Sequence, residues 1–308
     1  MEVVVLALGG NAILKRGEEA SFSNQYKNVK ESAKSIASLI SRRKIKLVIT
    51  HGNGPQVGEE LLRNEYAGAS VSPLPLHILT AETQAFVGSM LESAIANELK
   101  RKRVKIGVGV ILTHVLVDAK DAAFSRPSKP VGPFYSKDEL DGKLKEGKFD
   151  YVEQGGSYRR VVASPKPLEI MEIDAIRRLL DDGRVVIAGG GGGIPVAKSK
   201  NIIEGVSAVI DKDLTSQVIA DELGADKLII LTDAEYVYRD YYDKDSKIIK
   251  IKAGELSKSL DSFQSGSIKP KVEACIKFIE NGGKEAYIGN LFKLDDILER
   301  KSGTLIVP

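Results

Sequence analysis

The sequence predicts an α/β fold in one domain, with a mostly parallel sheet covered by helices on both faces. Three observations predict it. Short runs rich in Val, Ile and Leu recur along the chain, longer amphipathic stretches separate them, and several runs end in glycine-containing turns. A strand buried on both faces reads as a near-continuous apolar run, and strand and helix in repeated alternation build a parallel sheet.

Strands are expected over residues 3–8, 46–50, 106–116, 184–188, 227–232, 286–288 and 304–307. Helices are expected over 25–43, 81–100, 171–182, 214–223 and 272–281. In the first helix Val29, Ala33, Ile36, Ala37 and Ile40 fall on one face. Pro55 suits the first turn of a further helix continuing through Leu61 and Leu62. Gly282 after Asn281 is a stop for the last helix. Residues 118–167 break this rhythm, being rich in Pro, Gly, Lys and Tyr with little apolar periodicity. So long a stretch inside a compact domain reads as an insertion or lid.

At 308 residues, 43% hydrophobic and 28% charged, the chain is large enough for a packed core. A net charge of +3 gives no large basic face, so no nucleic-acid partner is expected. Cys275 is alone, which permits neither a disulfide framework nor zinc spacing and fits a reducing cytosol. No signal-peptide pattern opens the chain, and no stretch approaches the ~18 consecutive apolar residues of a membrane helix. A cytoplasmic location without membrane partners is therefore expected.

Three turns follow expected strands: Gly9-Gly10-Asn11-Ala12, His51-Gly52-Asn53-Gly54-Pro55-Gln56, and the glycine run at 189–193. Open α/β sheets bind ligands beyond the carboxyl ends of their strands. Glycine there lets backbone N–H groups approach phosphate oxygens, and the helix start at Pro55 adds unpaired N–H groups and a positive dipole end. One such turn is equally well a tight turn, whereas three on one edge favour an anion site. No G-x-x-x-x-G-K-[ST] motif occurs, which excludes a P-loop, and no strand leads into G-x-G-x-x-G with an acidic partner.

Lys271 follows Lys269 and Pro270 at a helix start, where a cation opposes the dipole unless an anion binds. Asp211-Lys212-Asp213 stands at a strand-to-helix junction. Asp213 reads first as a helix N-cap, and Lys212 as a salt-bridged lysine or one held by carboxylates to touch phosphate. Lys129 lies between Pro127 and Pro130 in a loop that prolines stiffen, either exposed or held over a cleft. His51, His77 and His114 lack metal-ligand spacing, and His51 reads as a hydrogen-bonded structural residue beside its glycine turn.

On these residues the chain resembles the carbamate kinases of the amino acid kinase family, from end to end. The motifs are Ala7-Leu8-Gly9-Gly10-Asn11-Ala12, Thr50-His51-Gly52-Asn53-Gly54-Pro55-Gln56-Val57-Gly58 and Lys129-Pro130-Val131-Gly132-Pro133-Phe134-Tyr135. Tyr158-Arg159-Arg160-Val161-Val162, Val209-Ile210-Asp211-Lys212-Asp213-Leu214, Leu231-Thr232-Asp233 and Pro270-Lys271-Val272-Glu273-Ala274 continue the match. The resemblance implies a three-layer αβα sandwich with a protruding lid subdomain. It implies the reaction of ATP with carbamate to give ADP and carbamoyl phosphate, with Mg²⁺, in a homodimer. Residues 1–118 and 166–185 would hold carbamate and the phosphoryl group, 119–165 would be the lid, and 186–308 would hold the nucleotide. Gly9, Gly10, Asn11, Gly52 and Asn53 would face carbamate and the γ-phosphate. Lys129 would reach the acceptor from the lid, Lys212 and Lys271 would contact the phosphates, and Asp213 would orient the lysines. Thr232, Asp233 and Ile268 would lie near the nucleoside.

Three positions depart from the family pattern. His77 and Ala85 differ in the segment before and within the long helix, where Gln84 is kept, and Lys269 replaces a small residue. Two other readings compete. A sibling kinase with another carboxylate or phosphorylated acceptor would lack the motif around Lys129. A non-catalytic nucleotide sensor would not need Lys129, Lys212, Asp213 and Lys271 together.

Overall fold

The structure is a computed structural model that describes residues 1–308 except 16, 147, 148, 201, 241 and 264–267. The chain opens with β1 (Glu2–Leu8), α1 (Phe22–Arg42), β2 (Ile45–His51), α2 (Gly54–Ala67) and α3 (Leu76–Arg101). Next come β3 (Val108–Val110), β4 (His114–Val117), β5 (Lys129–Tyr135), α4 (Lys137–Glu146), β6 (Asp150–Gln154), β7 (Ser157–Val162) and β8 (Pro167–Ile170). Then follow α5 (Ile173–Asp181), β9 (Val185–Ile187), β10 (Ile194–Ser199), β11 (Ile202–Gly205), α6 (Lys212–Leu223) and β12 (Lys227–Thr232). A small hairpin, β13 (Val237–Tyr238) and β14 (Lys247–Ile248), precedes β15 (Lys250–Lys252) and α7 (Ala253–Ser257). The chain closes with α8 (Lys269–Glu280), β16 (Glu285–Asn290), α9 (Leu294–Leu298) and β17 (Thr304–Val307).

Eight strands form the central sheet in the order β15-β17-β16-β12-β1-β2-β9-β3, and every neighbouring pair is parallel except β16 with β17. β1 lies inside this sheet, and its residues Val4 to Leu8 are all buried. Successive side chains of a strand point to opposite faces. Val4, Leu6 and Leu8 accordingly pack with α1, α3 and α9, while Val5 and Ala7 pack with α5, α6 and α8. These are the three layers of an αβα sandwich. Among the described residues no helix is long and apolar enough to cross a membrane. The basic residues Lys100 and Arg101 end α3, where cations complement the helix dipole.

The expected strand over 106–116 is two strands in two sheets. β3 ends the central sheet, and β4 joins a second sheet of order β11-β10-β4-β8. Between them Thr113 is buried and clamped by Gln84: its N–H donates to Gln84 Oε1 at 3.0 Å and its carbonyl accepts from Gln84 Nε2 at 3.2 Å. The side-chain amide of α3 thus replaces the sheet partners the backbone gives up on leaving the central sheet. The helix expected over 171–182 begins only at Ile173, because residues 167–170 form β8.

Between β4 and β8, β5, β7 and β6 form an antiparallel sheet. It packs on α2 and α3 through Val57, Leu61, Leu76, Leu79, Val131 and Val162, and Val209 from the segment before α6 joins the cluster. Gly58 of α2 makes the approach possible, since a Cβ there would lie 3.3 Å from the Gly132 Cα.

Candidate active site

β1, β2, β9 and β12 run parallel, so their carboxyl ends meet at one edge of the sheet. The turns there are Gly9-Gly10-Asn11 after β1, Gly52-Asn53 after β2, and residues 189–193 after β9, with Thr232 and Asp233 at the end of β12. Some glycines are demanded by the protein itself. A Cβ on Gly9 would sit 2.5 Å from the Leu231 carbonyl oxygen. Gly191 and Gly192 have φ of +66° and +92°, and side chains there would run into Asn53 and the Ile210 backbone. Gly10 and Gly52 are different. Neither has a positive φ, and a Cβ on either would meet nothing within 4 Å. Their missing side chains leave space at the edge that no protein atom uses.

Asn53 is the N-cap residue of α2, but its side chain does not cap. Its Nδ2 donates instead to Thr83 Oγ1 at 2.8 Å, so Asn53 itself offers no side-chain acceptor to the first turn of α2. Asn11 lines a cavity of about 200 Å³ with Gly9, Lys15, Thr232, Asp233 and Phe292. Thr232 Oγ1 donates to Asp233 Oδ1 at 2.9 Å, and Asn290 Nδ2 donates to the Asp233 carbonyl at 3.0 Å.

Beside this edge, α6 and α8 pack together and bring two lysines onto one carboxylate. Lys212 Nζ donates to Asp213 Oδ1 at 2.5 Å and Lys271 Nζ to Asp213 Oδ2 at 2.9 Å. The side chains of Lys212, Lys271 and Asp213 are only 12%, 16% and 5% exposed, so water solvates this triad little. Asp213 is not the helix cap that its position suggested. Asp211, in extended backbone, is the N-cap of α6, and its Oδ1 accepts from the N–H groups of Asp213 at 2.9 Å and Leu214 at 3.4 Å. Asp213 is thereby one residue inside the helix and free to hold the lysines.

Electrostatics follow from burial and this shared carboxylate. Burial pushes the Asp213 carboxyl up, but the ammonium groups of Lys212 and Lys271 outweigh it and hold the group well below the usual carboxylate range. At Lys212 burial wins and the ammonium is pushed down despite Asp213. At Lys271 burial is outweighed by Asp213 and the shift is upward. Two ammonium groups share the Asp213 carboxylate, and the Asp211 carboxylate also favours the charged form of both lysines, as Asp233 does for Lys271.

Lys129 lies on β5 and not in a loop, and it is half-buried. The β5–β7 ladder holds its backbone opposite Val162, so strand pairing as well as proline fixes its position. Its Nζ donates to Asp211 Oδ2 at 3.2 Å and to the Ile210 carbonyl at 3.3 Å, across 82 residues of sequence. Ile268 is the N-cap residue of α8 and packs against the core on that face. Lys269 pairs with the exposed Asp261 at 2.7 Å. His51 is buried, its ring Nδ1 lies 2.9 Å from the Gly52 carbonyl, and burial pushes its pKa down to about 4. A neutral imidazole donates that hydrogen bond through Nδ1–H, the structural role expected of it. His77 lines a separate depression with His114, Met171, Glu172 and Ile203, and Ala85 is exposed. Sequence reasoning missed Asp211 as the cap and as the partner of Lys129. Two aspartates flank Lys212, and local pattern alone does not choose between them.

The amino acid kinase family model matches residues 2–290. The chain is 43% identical to a carbamate kinase of Pyrococcus horikoshii over 100% of this chain and 99% of that protein. It is 41% identical to one of Haemophilus influenzae, covering 98% and 96% of the two chains. The solved structure of carbamate kinase from Giardia lamblia bound to AMP-PNP superposes with a TM-score of 0.92 at 39% identity, over 99% of this chain and 98% of that one. On these full-length similarities, and with the fold they share, the chain belongs to the amino acid kinase family and, within it, to the carbamate kinases.

Proposed function

We propose that this protein transfers a phosphoryl group reversibly between ATP and carbamate, giving ADP and carbamoyl phosphate. The observation that carries the reading is the buried Lys212–Asp213–Lys271 triad, which puts two ammonium groups on one carboxylate beside turns whose Gly10 and Gly52 leave open space. Phosphoryl transfer needs alignment and charge neutralisation more than covalent help.

A carbamate oxygen attacks the γ-phosphorus as the bond to the ADP oxygen breaks. Carbamate is already an anion, so no proton has to leave the nucleophile and no general base is required. This accords with a site of lysines and backbone amides in which His51 is held neutral and buried. Lys212 and Lys271 neutralise charge on the moving group, and Asp213 keeps both ammonium tips in place. Gly9, Gly10, Asn11, Gly52 and Asn53 hold the acceptor and transferred phosphoryl group through backbone donors. Lys129 serves the acceptor side, while Thr232, Asp233 and Ile268 border the nucleoside. In this reading residues 1–118 and 166–185 form the carbamate half, 119–165 the lid and 186–308 the nucleotide half.

Mg²⁺ is proposed to arrive on the nucleotide phosphates, whose charge it neutralises. Among the described residues no three His, Cys, Asp or Glu side chains group together as a metal site. We also propose a cytoplasmic homodimer. Ile78, Met171 and Ile203, each at least 36% exposed, line one depression and support a self-association face there.

The test is ATP formation from ADP, Mg²⁺ and carbamoyl phosphate by the purified protein, read with luciferase. Acetyl phosphate and the Lys212→Ala and Lys271→Ala variants are the controls. The expected result is synthesis that depends on carbamoyl phosphate, with kcat lowered roughly 10²-fold or more in each variant. Equal rates with acetyl phosphate, or parent-like turnover in the variants, would overturn the acceptor or the triad respectively.

A further inference from the structure

We propose that Asp211 is a positioning residue of the same reaction, one that fixes the lid lysine Lys129 against the start of α6. The proposal rests on the role given to Lys129 above. Both oxygens of the Asp211 carboxylate are used. Oδ1 caps α6 by accepting from Asp213 and Leu214 N–H, and Oδ2 accepts from Lys129 Nζ at 3.2 Å. The same Nζ donates to the Ile210 carbonyl at 3.3 Å. An ammonium has three N–H donors. Two are occupied by residues 210 and 211, and one is left for a ligand oxygen.

The seat under Lys129 is fixed from three sides. Val209 N–H donates to the Ala163 carbonyl at 2.9 Å, tying the segment to the chain that leaves the lid after β7. The glycine run closes in from the sheet edge, since a side chain on Gly192 would strike the Ile210 carbonyl. Thr215 Oγ1 of α6 donates to the Gly192 carbonyl at 2.8 Å, locking that contact. Three consecutive residues therefore organise three lysine tips: Asp211 holds Lys129, Lys212 is itself in the triad, and Asp213 holds Lys212 and Lys271. A long lysine side chain loses much rotamer freedom when its tip is fixed, and fixing it before substrate arrives removes that loss from the transition state.

The structural and positioning roles of Asp211 separate by substitution. Asp211→Asn keeps an oxygen to cap α6 but turns an NH₂ toward Lys129. Asp211→Ser caps with a shorter hydroxyl that falls short of Lys129. Asp211→Ala loses both functions and gives the structural reference. Both capping variants are expected to melt within about 3 °C of the parent. Each is expected to raise KM for carbamoyl phosphate about tenfold, with KM for ADP unchanged. In a Lys129→Ala background, Asp211→Asn should change kcat/KM by less than about twofold, because its target is gone. The proposal is overturned by parent-like KM values in both variants, by an equal rise in KM for ADP, or by an undiminished further loss in the Lys129→Ala background. Parent-like kinetics of Lys129→Ala alone would remove Lys129 from the reaction and this proposal with it. A damaged Lys129→Ala beside parent-like Asp211→Asn and Asp211→Ser would overturn the role of Asp211 alone.

Discussion

At Gly52 a methyl group would touch nothing within 4 Å and the backbone φ is not positive, whereas at Gly192 it would meet a carbonyl with φ at +92°. The same residue type answers to different demands. Gly192 is required by packing and dihedral, and Gly52 by neither, which leaves ligand approach as its reason in the proposed function. Gly52→Ala should therefore keep or slightly raise Tm, since alanine narrows the unfolded ensemble at no native cost, and should lower kcat/KM by about tenfold or more. Gly192→Ala should instead destabilise by about 1–3 kcal/mol. Thermal melts and initial rates on the two variants check this, and an active Gly52→Ala enzyme would put the anion elsewhere. The glycines were legible in the sequence as a set. Their division into two kinds was not, because it depends on neighbours such as Ile210 and Asn53 that reach the turns from other elements.

Strands buried on both faces were the plainest elements to predict. β1, β2, β12 and β17 lie within a residue or two of their expected ranges, since continuous apolar runs bounded by turn residues have few other uses. The run over 106–116 shows where this signal stops. Its apolar content marks extended chain correctly but says nothing of a crossing from one sheet to another, which Gln84 of α3 makes possible from outside the segment. Gln84→Ala should leave the buried N–H of Thr113 without its acceptor, while the Thr113 carbonyl keeps the Ile194 N–H at 2.8 Å, and cost about 1–3 kcal/mol in urea unfolding. Parent-like stability would mean that other groups satisfy Thr113. Strands β5 to β8 were missed for a related reason: short, polar, Pro- and Gly-containing strands carry no strong period, and their register depends on pairing outside each segment.

Across the whole molecule, the depression around Ile203 lies on β11, an edge strand of the second sheet, with His77 and His114 beside it. An exposed apolar face on an edge strand is a ready surface for a second copy. In sedimentation at micromolar concentration the parent should run as a dimer, and Ile203→Glu should weaken association at least tenfold by burying a charge there. A monomeric parent would remove the dimer from the reading. The sequence by itself determined the alternation of strand and helix, the αβα class and the residue types of a phosphoryl-transfer site, because apolar period, turn chemistry and motif are local properties. Only the tertiary structure decided that Asp211 and not Asp213 caps α6, that Lys212 and Lys271 share one carboxylate, and that Lys129 reaches that cap across 82 residues of chain. Those are facts of distance and burial, and they arise only when parallel strands bring their carboxyl ends to one edge and the helices behind them pack side by side.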